Sequence, residues 1–193
     1  FSGVAVDGER TLWTGAGTAI NRLSLNGSLI ESFPLQPTGS IVESESFALL
    51  KERLYFFGRL PDRRRALFEL PIGQKAATAI VTNLPALPDD FTYRLAAQPW
   101  DGQLLTLAEG DRVLEVYRLR PGTNGFARVC SVPGYAPHGL AVDPRQRRIY
   151  LGGWLTPPAG SRHTQAFPGI TTLTPSGAAG VRSAVGRLRG VDA

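Results

Sequence analysis

The side chains best suited to catalysis are few and far apart in this sequence. It has two histidines, His138 and His163, and a single cysteine, Cys130. It lacks the Ser-x-x-Lys and Gly-x-Ser-x-Gly signatures of activated serines, and it lacks a glycine-rich loop that could cradle phosphates. We therefore expect no nucleophilic triad. The lone cysteine cannot form an intrachain disulfide, and its apolar context, "ARVCSV", predicts a buried structural thiol.

His138 stands directly before a short apolar segment, "GLAV", and segments of this kind recur along the chain. A second segment with a bulky residue follows each of them, and then a third and a fourth. The bulky residues are 42, 50 and 45 residues apart and serve as anchors that align the repeats: Trp13, Tyr55, Leu105 and Tyr150. The first segments carry alanines at Ala5, Ala48, Ala96 and Ala141.

Four short strands in each repeat of about 45 residues are typical of a β-propeller blade. Turns rich in Gly, Asp, Asn and Pro join the segments, as in "VDGER" and "RPGTNG", and no segment has a convincing helical period. The sequence therefore predicts an all-β propeller of four-stranded antiparallel blades. We place the blades at residues 1–37, 45–88, 93–134 and 137–190 of a single domain.

Two stretches carry a resemblance to a known family. "PHGLAVDPRQRRIYLGGW" and "SGVAVDGERTLWTGAGTAINRLSLNGSLIESF" resemble the repeats of NHL, YVTN and gluconolactonase-like propellers. The other two repeats match this family only in pattern. Propellers of this family have six or seven blades, which need roughly 270–310 residues at this period. The resemblance thus implies about four blades of a larger propeller, and a closed four-bladed propeller is the alternative.

The repeats also predict where a ligand would lie. In a propeller, the residue before each innermost strand lines one mouth of the central channel. The alignment brings four such residues together from distant parts of the chain, with Arg94 beside one of them: Ser2, Glu45, Tyr93 and His138. This ring combines a potential base, a carboxylate and hydrogen-bonding groups. A long loop at residues 155–166, which contains Arg162 and His163, is a second candidate for recognition.

The resemblance implies a metal site at the same position, because gluconolactonase-like propellers hold a divalent cation there with Glu, Asn and Asp. Carried over to this chain, Glu45 takes the place of the Glu, His138 that of the Asn and Ser2 that of the Asp. Two of the three ligands therefore differ. Glu45 and His138 could hold zinc or another transition metal, although histidine is a poor ligand for calcium.

Composition excludes several other classes of protein. The chain has 193 residues, 42% hydrophobic and 19% charged, and no apolar run long enough to span a membrane. The net charge is +5, but the arginine clusters at 63–65 and 145–148 lie in separate predicted turns. A nucleic-acid interface is not predicted, because it would need a continuous basic stripe with interleaved aromatic residues.

We interpret the sequence as a non-enzymatic binding module that recognises a protein, peptide or glycan through its face and loops, without a cofactor. The alternative is a metal-dependent, lactonase-like hydrolase with its site at the channel mouth. Related bacterial propellers are commonly exported, so the resemblance also implies a periplasmic or secreted location.

Overall fold

The computed structural model describes residues 3–43, 46–82, 84, 94–109, 112–121, 123, 126–156, 165–174 and 179–184. Within these ranges every regular element is a β-strand. In chain order, the strands are Val4–Val6 (β1), Leu12–Ala16 (β2), Ala19–Leu23 (β3), Leu29–Gln36 (β4), Ile41–Val42 (β5), Ala48–Leu50 (β6), Arg53–Arg59 (β7), Arg65–Pro71 (β8), Ala77–Val81 (β9), Arg94–Gln98 (β10), Gln103–Glu109 (β11), Val113–Leu119 (β12), Phe126–Asp143 (β13), Arg148–Leu155 (β14), Phe167–Leu173 (β15) and Ala179–Ala184 (β16).

The strands form four antiparallel blades, as predicted. Blade 1 is β1–β4 and blade 2 is β6–β9, with the short β5 paired to β7. Blade 3 is β10–β12 and the first part of β13, and blade 4 is the rest of β13 with β14–β16. The all-β architecture of four-stranded blades is confirmed. The exact blade boundaries stay predictions, because several of the connecting segments lie outside the described residues.

The anchors occupy the same place in every blade. Each anchor on the second strand pairs across the sheet with the alanine that the repeat predicts on the first strand: Ala5 with Trp13, Ala48 with Tyr55, Ala96 with Leu105, and Ala141 with Tyr150. Three residues before each anchor, the backbone is left-handed, at Arg10, Glu52, Gly102 and Arg147. The sequence repeat is therefore also a repeat of strand pairing and of backbone conformation.

Among the described residues, the hydrophobic core forms three clusters, each packed between two successive blades. Strand β7 shows how one blade serves two clusters. Leu54 and Phe56 point into the cluster shared with blade 1, and Tyr55 and Phe57 point into the cluster shared with blade 3. Alternate residues of a strand face opposite sides of the sheet, so both sides of this strand are buried. Each such side chain contributes roughly 1.5–3 kcal/mol by leaving water.

Backbone pairing also joins neighbouring blades. The outermost strands of blades 1 and 2 run parallel for two residue pairs, Leu35 with Ala77 and Gln36 with Thr78. Strand β13 continues without a break from the outer edge of blade 3 to the inner edge of blade 4, which places both blades in one seven-stranded sheet.

Apolar side chains are exposed on the outward sides of blades 1 and 4. On blade 1, Val4 is 60% exposed and Val6 57%. On blade 4, Tyr135 and Ile170 are exposed on the side that faces away from the core cluster.

Candidate ligand-binding faces

The course of the strands divides the polar loops between two opposite faces. One face, which we call the mouth face, holds the starts of the innermost strands β6 and β10 and the turns after β2, β7 and β11. The other, which we call the hairpin face, holds the turns that join the first and second strands of each blade, at residues 7–11, 51–52, 99–102 and 144–147.

Described residues next to two positions of the predicted ring lie on the mouth face. There, the Leu95 amide donates a hydrogen bond of 2.6 Å to Ser46 Oγ, which ties the entrances of blades 2 and 3 together. Arg94 is partly buried beside this contact, and the burial lowers the pKa of its guanidinium. Ser46 follows Glu45, and Arg94 follows Tyr93, so the described neighbours of two ring positions lie close together.

Most of the other predicted site residues lie outside the described part of the chain. They are Ser2, Glu45, Tyr93, Arg162 and His163, and of His138 only the backbone, within β13, is described. Among the described residues, no group of three or more His, Cys, Asp and Glu side chains could hold a metal ion. The ring, the pairing of Glu45 with His138 and the role of the long loop therefore stay predictions.

An ion-pair network stiffens the mouth face near the start of blade 2. Glu43 pairs with Arg59 and also with Arg65, whose Nε lies 3.4 Å from a carboxylate oxygen. The turn between β7 and β8 is closed by Asp62, which accepts hydrogen bonds from the Arg64 backbone at 3.1 Å and from its side chain at 2.7 Å. Arg63 and Arg64 thus lie in a turn, as predicted, whereas Arg65 begins β8. Arg64 and Arg65 are both engaged within the protein.

Aspartates close the hairpin-face turns of blades 1 and 4. Asp143 accepts hydrogen bonds from the amides of Arg145 at 2.8 Å and Gln146 at 3.1 Å. In blade 1, Asp7 bonds the Thr11 amide at 2.9 Å and its hydroxyl, and it also accepts from Trp13 Nε1. These contacts make both aspartates structural turn residues, and they orient the carboxylates toward the protein's own backbone.

Two clefts open onto the hairpin face, one between blades 1 and 2 and one between blades 2 and 3. The cleft between blades 1 and 2 has a volume of about 210 Å³, and its lining includes Asp7, Glu9, Arg22 and Glu52. The cleft between blades 2 and 3 is larger, about 460 Å³. We call the larger one the Lys51 cleft; its lining residues are Leu50, Lys51, Arg53, Tyr55, Glu69, Ile80, Gly102 and Pro121.

The floor of the Lys51 cleft is a closed polar network. Glu69 forms an ion pair with Arg53 and a hydrogen bond with Tyr55, its partner across the strands. Burial raises the pKa of the Tyr55 phenol far above its usual value, and the charge of Glu69 raises it further. The phenol therefore stays protonated and donates to the carboxylate.

Sequence reasoning missed this cleft, although it recognised Tyr55 as an anchor. The Lys51 side chain comes from the β6–β7 turn of blade 2, and Gly102 comes from the equivalent turn of blade 3. The available signal was the turn "LKERL", which has neither the Gly nor the Asn expected where two successive residues are left-handed.

Cys130 lies in β13 and is half-buried rather than fully buried. Burial raises the pKa of its thiol, so that the thiolate form is disfavoured.

No protein-family model matches the chain, and no curated protein matches it. Several solved structures match the chain. A putative TolB from Agrobacterium tumefaciens matches with 14% identity and a TM-score of 0.66, over 96% of this chain and 61% of that one. The nidogen/laminin complex matches with 15% identity and a TM-score of 0.59, over 90% and 60% of the two chains.

The gluconolactonase XC5397 from Xanthomonas campestris matches with 17% identity and a TM-score of 0.61, over 95% of this chain and 62% of that one. All three neighbours are β-propeller proteins. The chain has the β-propeller fold. It spans about three fifths of the length of each of these propellers. At these identities the likeness establishes the fold alone. Within the described part of the propeller, no helix is long and apolar enough to cross a membrane.

Proposed function

We propose that this propeller is a non-enzymatic binding module that recognises an acidic protein or peptide partner on its hairpin face. One observation carries the proposal: two clefts lie at equivalent positions between successive blades and open onto the same face. Ligand sites are concave and few per protein, and a row of clefts along one face suits an extended chain better than a small compact molecule.

Charge in the turns of blades 2 and 4 supports an acidic partner on that part of the hairpin face, whereas the smaller cleft beside blade 1 carries the carboxylates Asp7, Glu9 and Glu52. Arg145 and Arg147 are exposed in the turn of blade 4, and Lys51 lies in the equivalent turn of blade 2. The carboxylate of Asp143 is committed to backbone amides of its own turn. The cationic groups of this turn are therefore presented outward, where they would steer an acidic partner toward the face.

Selection of peptides from a displayed random library against the full chain would test this proposal. Enriched peptides should be acidic. The double variant Arg145→Glu with Arg147→Glu should weaken their binding about tenfold or more, because it replaces attraction with repulsion. The matched control is Arg63→Glu with Arg112→Glu, which reverses two exposed turn arginines on the mouth face and should retain binding. Equal loss in both double variants, or no acidic enrichment, would refute the proposal.

Two further parts of the proposal concern the mouth face and the location of the protein. We retain the ring of Ser2, Glu45, Tyr93, Arg94 and His138, with the loop that contains Arg162 and His163, as a second region of contact. The hydrogen bond between Leu95 and Ser46 supports it, because it joins the entrances of two blades. A periplasmic or secreted location also remains a proposal, and fractionation of cells that express the full chain would test it.

A further inference from the structure

The Lys51 cleft combines one free charge, apolar walls and a neutralised floor. Leu50, Ile80 and Pro121 form apolar parts of its lining. On the floor, the negative charge of Glu69 is balanced by Arg53 and hydrogen-bonded by Tyr55. The floor therefore offers a ligand no net charge. It can still accept a hydrogen bond, because the Glu69 carboxylate has lone pairs beyond those that its two donors use.

The ammonium of Lys51 supplies the free charge. None of the ion pairs among the described residues involves Lys51. The chain's other lysine, Lys75, by contrast pairs with Glu31 at 2.8 Å. A cation without an acidic partner of its own, at the edge of a cleft with apolar walls, is suited to bind an anion.

The neighbouring blade leaves room for this ammonium. Gly102 fills the left-handed turn position that holds a charged residue in the other three blades. A Cβ atom on Gly102 would lie 3.2 Å from Lys51 Nζ, closer than such contacts usually are. Blade 3 therefore has no side chain where one would displace the lysine.

The turn that carries Lys51 is itself strained. Lys51 and Glu52 both have positive φ, 49° and 58°, and neither is a glycine or an asparagine. Glycine or asparagine would relieve this strain in a two-residue hairpin turn. Of the two, Lys51 is the additional left-handed residue in this turn, because the position of Glu52 is left-handed in every blade.

We propose that the Lys51 cleft binds a carboxylate carried on a short aliphatic chain, supplied by an acidic side chain or by the C-terminus of a peptide. The ammonium of Lys51 pairs with the carboxylate, the apolar wall contacts the methylene groups, and Glu69 accepts a hydrogen bond from a peptide N–H. This inference rests on the proposed function, because it names the group that the hairpin face would recognise.

Titration of the full chain with three dipeptides would test carboxylate binding in the Lys51 cleft. Calorimetry or amide chemical shifts would measure the binding. Acetyl-leucyl-glutamate amide offers a side-chain carboxylate, acetyl-leucyl-alanine offers a terminal one, and acetyl-leucyl-glutamine amide is the neutral isostere of the first. At least one carboxylate peptide should bind about tenfold more tightly than the neutral peptide. Whichever of the two binds identifies the source of the group.

The variant Lys51→Gln should abolish this preference, while Lys51→Arg and the matched control Lys75→Gln should keep it. The inference is overturned if neither carboxylate peptide binds, if the neutral peptide binds equally well, or if Lys51→Gln binds like the wild type. If the displayed acidic peptides still bind and still depend on Arg145 and Arg147, such a result removes this inference and leaves the proposed function standing.

Discussion

The indole Nε1 of Trp13 donates a hydrogen bond of 2.8 Å to Oδ2 of Asp7, and this bond fixes the largest side chain of blade 1 to its own hairpin turn. Arg22 lies over the same indole ring, 5.4 Å from its centroid, and its guanidinium is 3.7 Å from Asp7. These contacts join the turn, the second strand and the third strand of blade 1 through Asp7, Trp13 and Arg22.

Replacement of Asp7 by Asn should destabilise the protein by about 1–3 kcal/mol at neutral pH, because a buried charged acceptor of several hydrogen bonds is lost. Burial by itself would raise the pKa of Asp7, but the hydrogen bonds from Thr11 and Trp13 and the charge of Arg22 outweigh it, and the pKa is lowered. A lowered pKa means that the stabilisation is complete above the ordinary aspartate pKa of about 4 and is lost as the pH falls through the folded-state value.

Urea unfolding of wild type and Asp7→Asn at pH 7 and in acid would measure this effect. The stability difference between the two proteins should shrink on acidification. A constant difference across that range would mean that the charge of Asp7 does not contribute.

Gly58 in β7 should not tolerate even a methyl group. A Cβ atom there would lie 2.5 Å from the carbonyl oxygen of Ile41 and 2.9 Å from a ring carbon of Phe68. We expect Gly58→Ala to cost about 1–3 kcal/mol or more, as overpacking against backbone does. Gly139→Ala in β13 is the matched control, because nothing lies within 4 Å of its Cβ position. Thermal or denaturant unfolding of both variants is the measurement, and similar losses in both would contradict the packing described here.

A valine-to-alanine substitution should lower the stability of the protein more in the core than on the exposed side of blade 1. Val81 is 1% exposed in the core cluster between blades 2 and 3, and Val4 is 60% exposed on blade 1. Val81→Ala should therefore lose roughly 2 kcal/mol, from two buried methyl groups and the space they leave. Val4→Ala should change stability by about 0.5 kcal/mol or less. A large loss for Val4→Ala would show that its side of blade 1 is covered in solution.

Cys130 should react slowly with thiol reagents in the folded protein. Its pKa is raised by burial, so little thiolate is present near neutral pH. Ellman's reagent at pH 8 should modify the folded chain much more slowly than the chain unfolded in guanidinium. Equal rates in the two states would show that the fold neither shields the thiol nor raises its pKa.

The sequence predicts the features that depend on local periodicity. Trp13, Tyr55, Leu105 and Tyr150 could be aligned because turn chemistry and two-residue alternation repeat at a fixed distance before each anchor. The pairing of each anchor with an alanine follows from that alignment, and the structure has all four pairs.

Features that depend on how two blades meet could not be predicted. The approach of Gly102 to Lys51 joins turns about fifty residues apart, and no local pattern encodes it. The same holds for the parallel pairing of Leu35 with Ala77 and for β5, a strand of two residues that depends on β7 to form. The ring at the mouth face was inferred from repeat geometry, and its side chains are largely outside the described residues.

Division of the core into three clusters has a consequence for how the chain comes apart. Each cluster links only adjacent blades, so stability is approximately a sum of terms between nearest neighbours. Among the described residues, blades 2 and 3 each contribute to two clusters, whereas blade 1 contributes to one. In hydrogen exchange, the amides of β2 and β3 should therefore open by local fraying at lower free energy than those of β7, β8 and β11. The exchange rates would thus rank the blades of this chain by the number of core clusters in which their described residues take part.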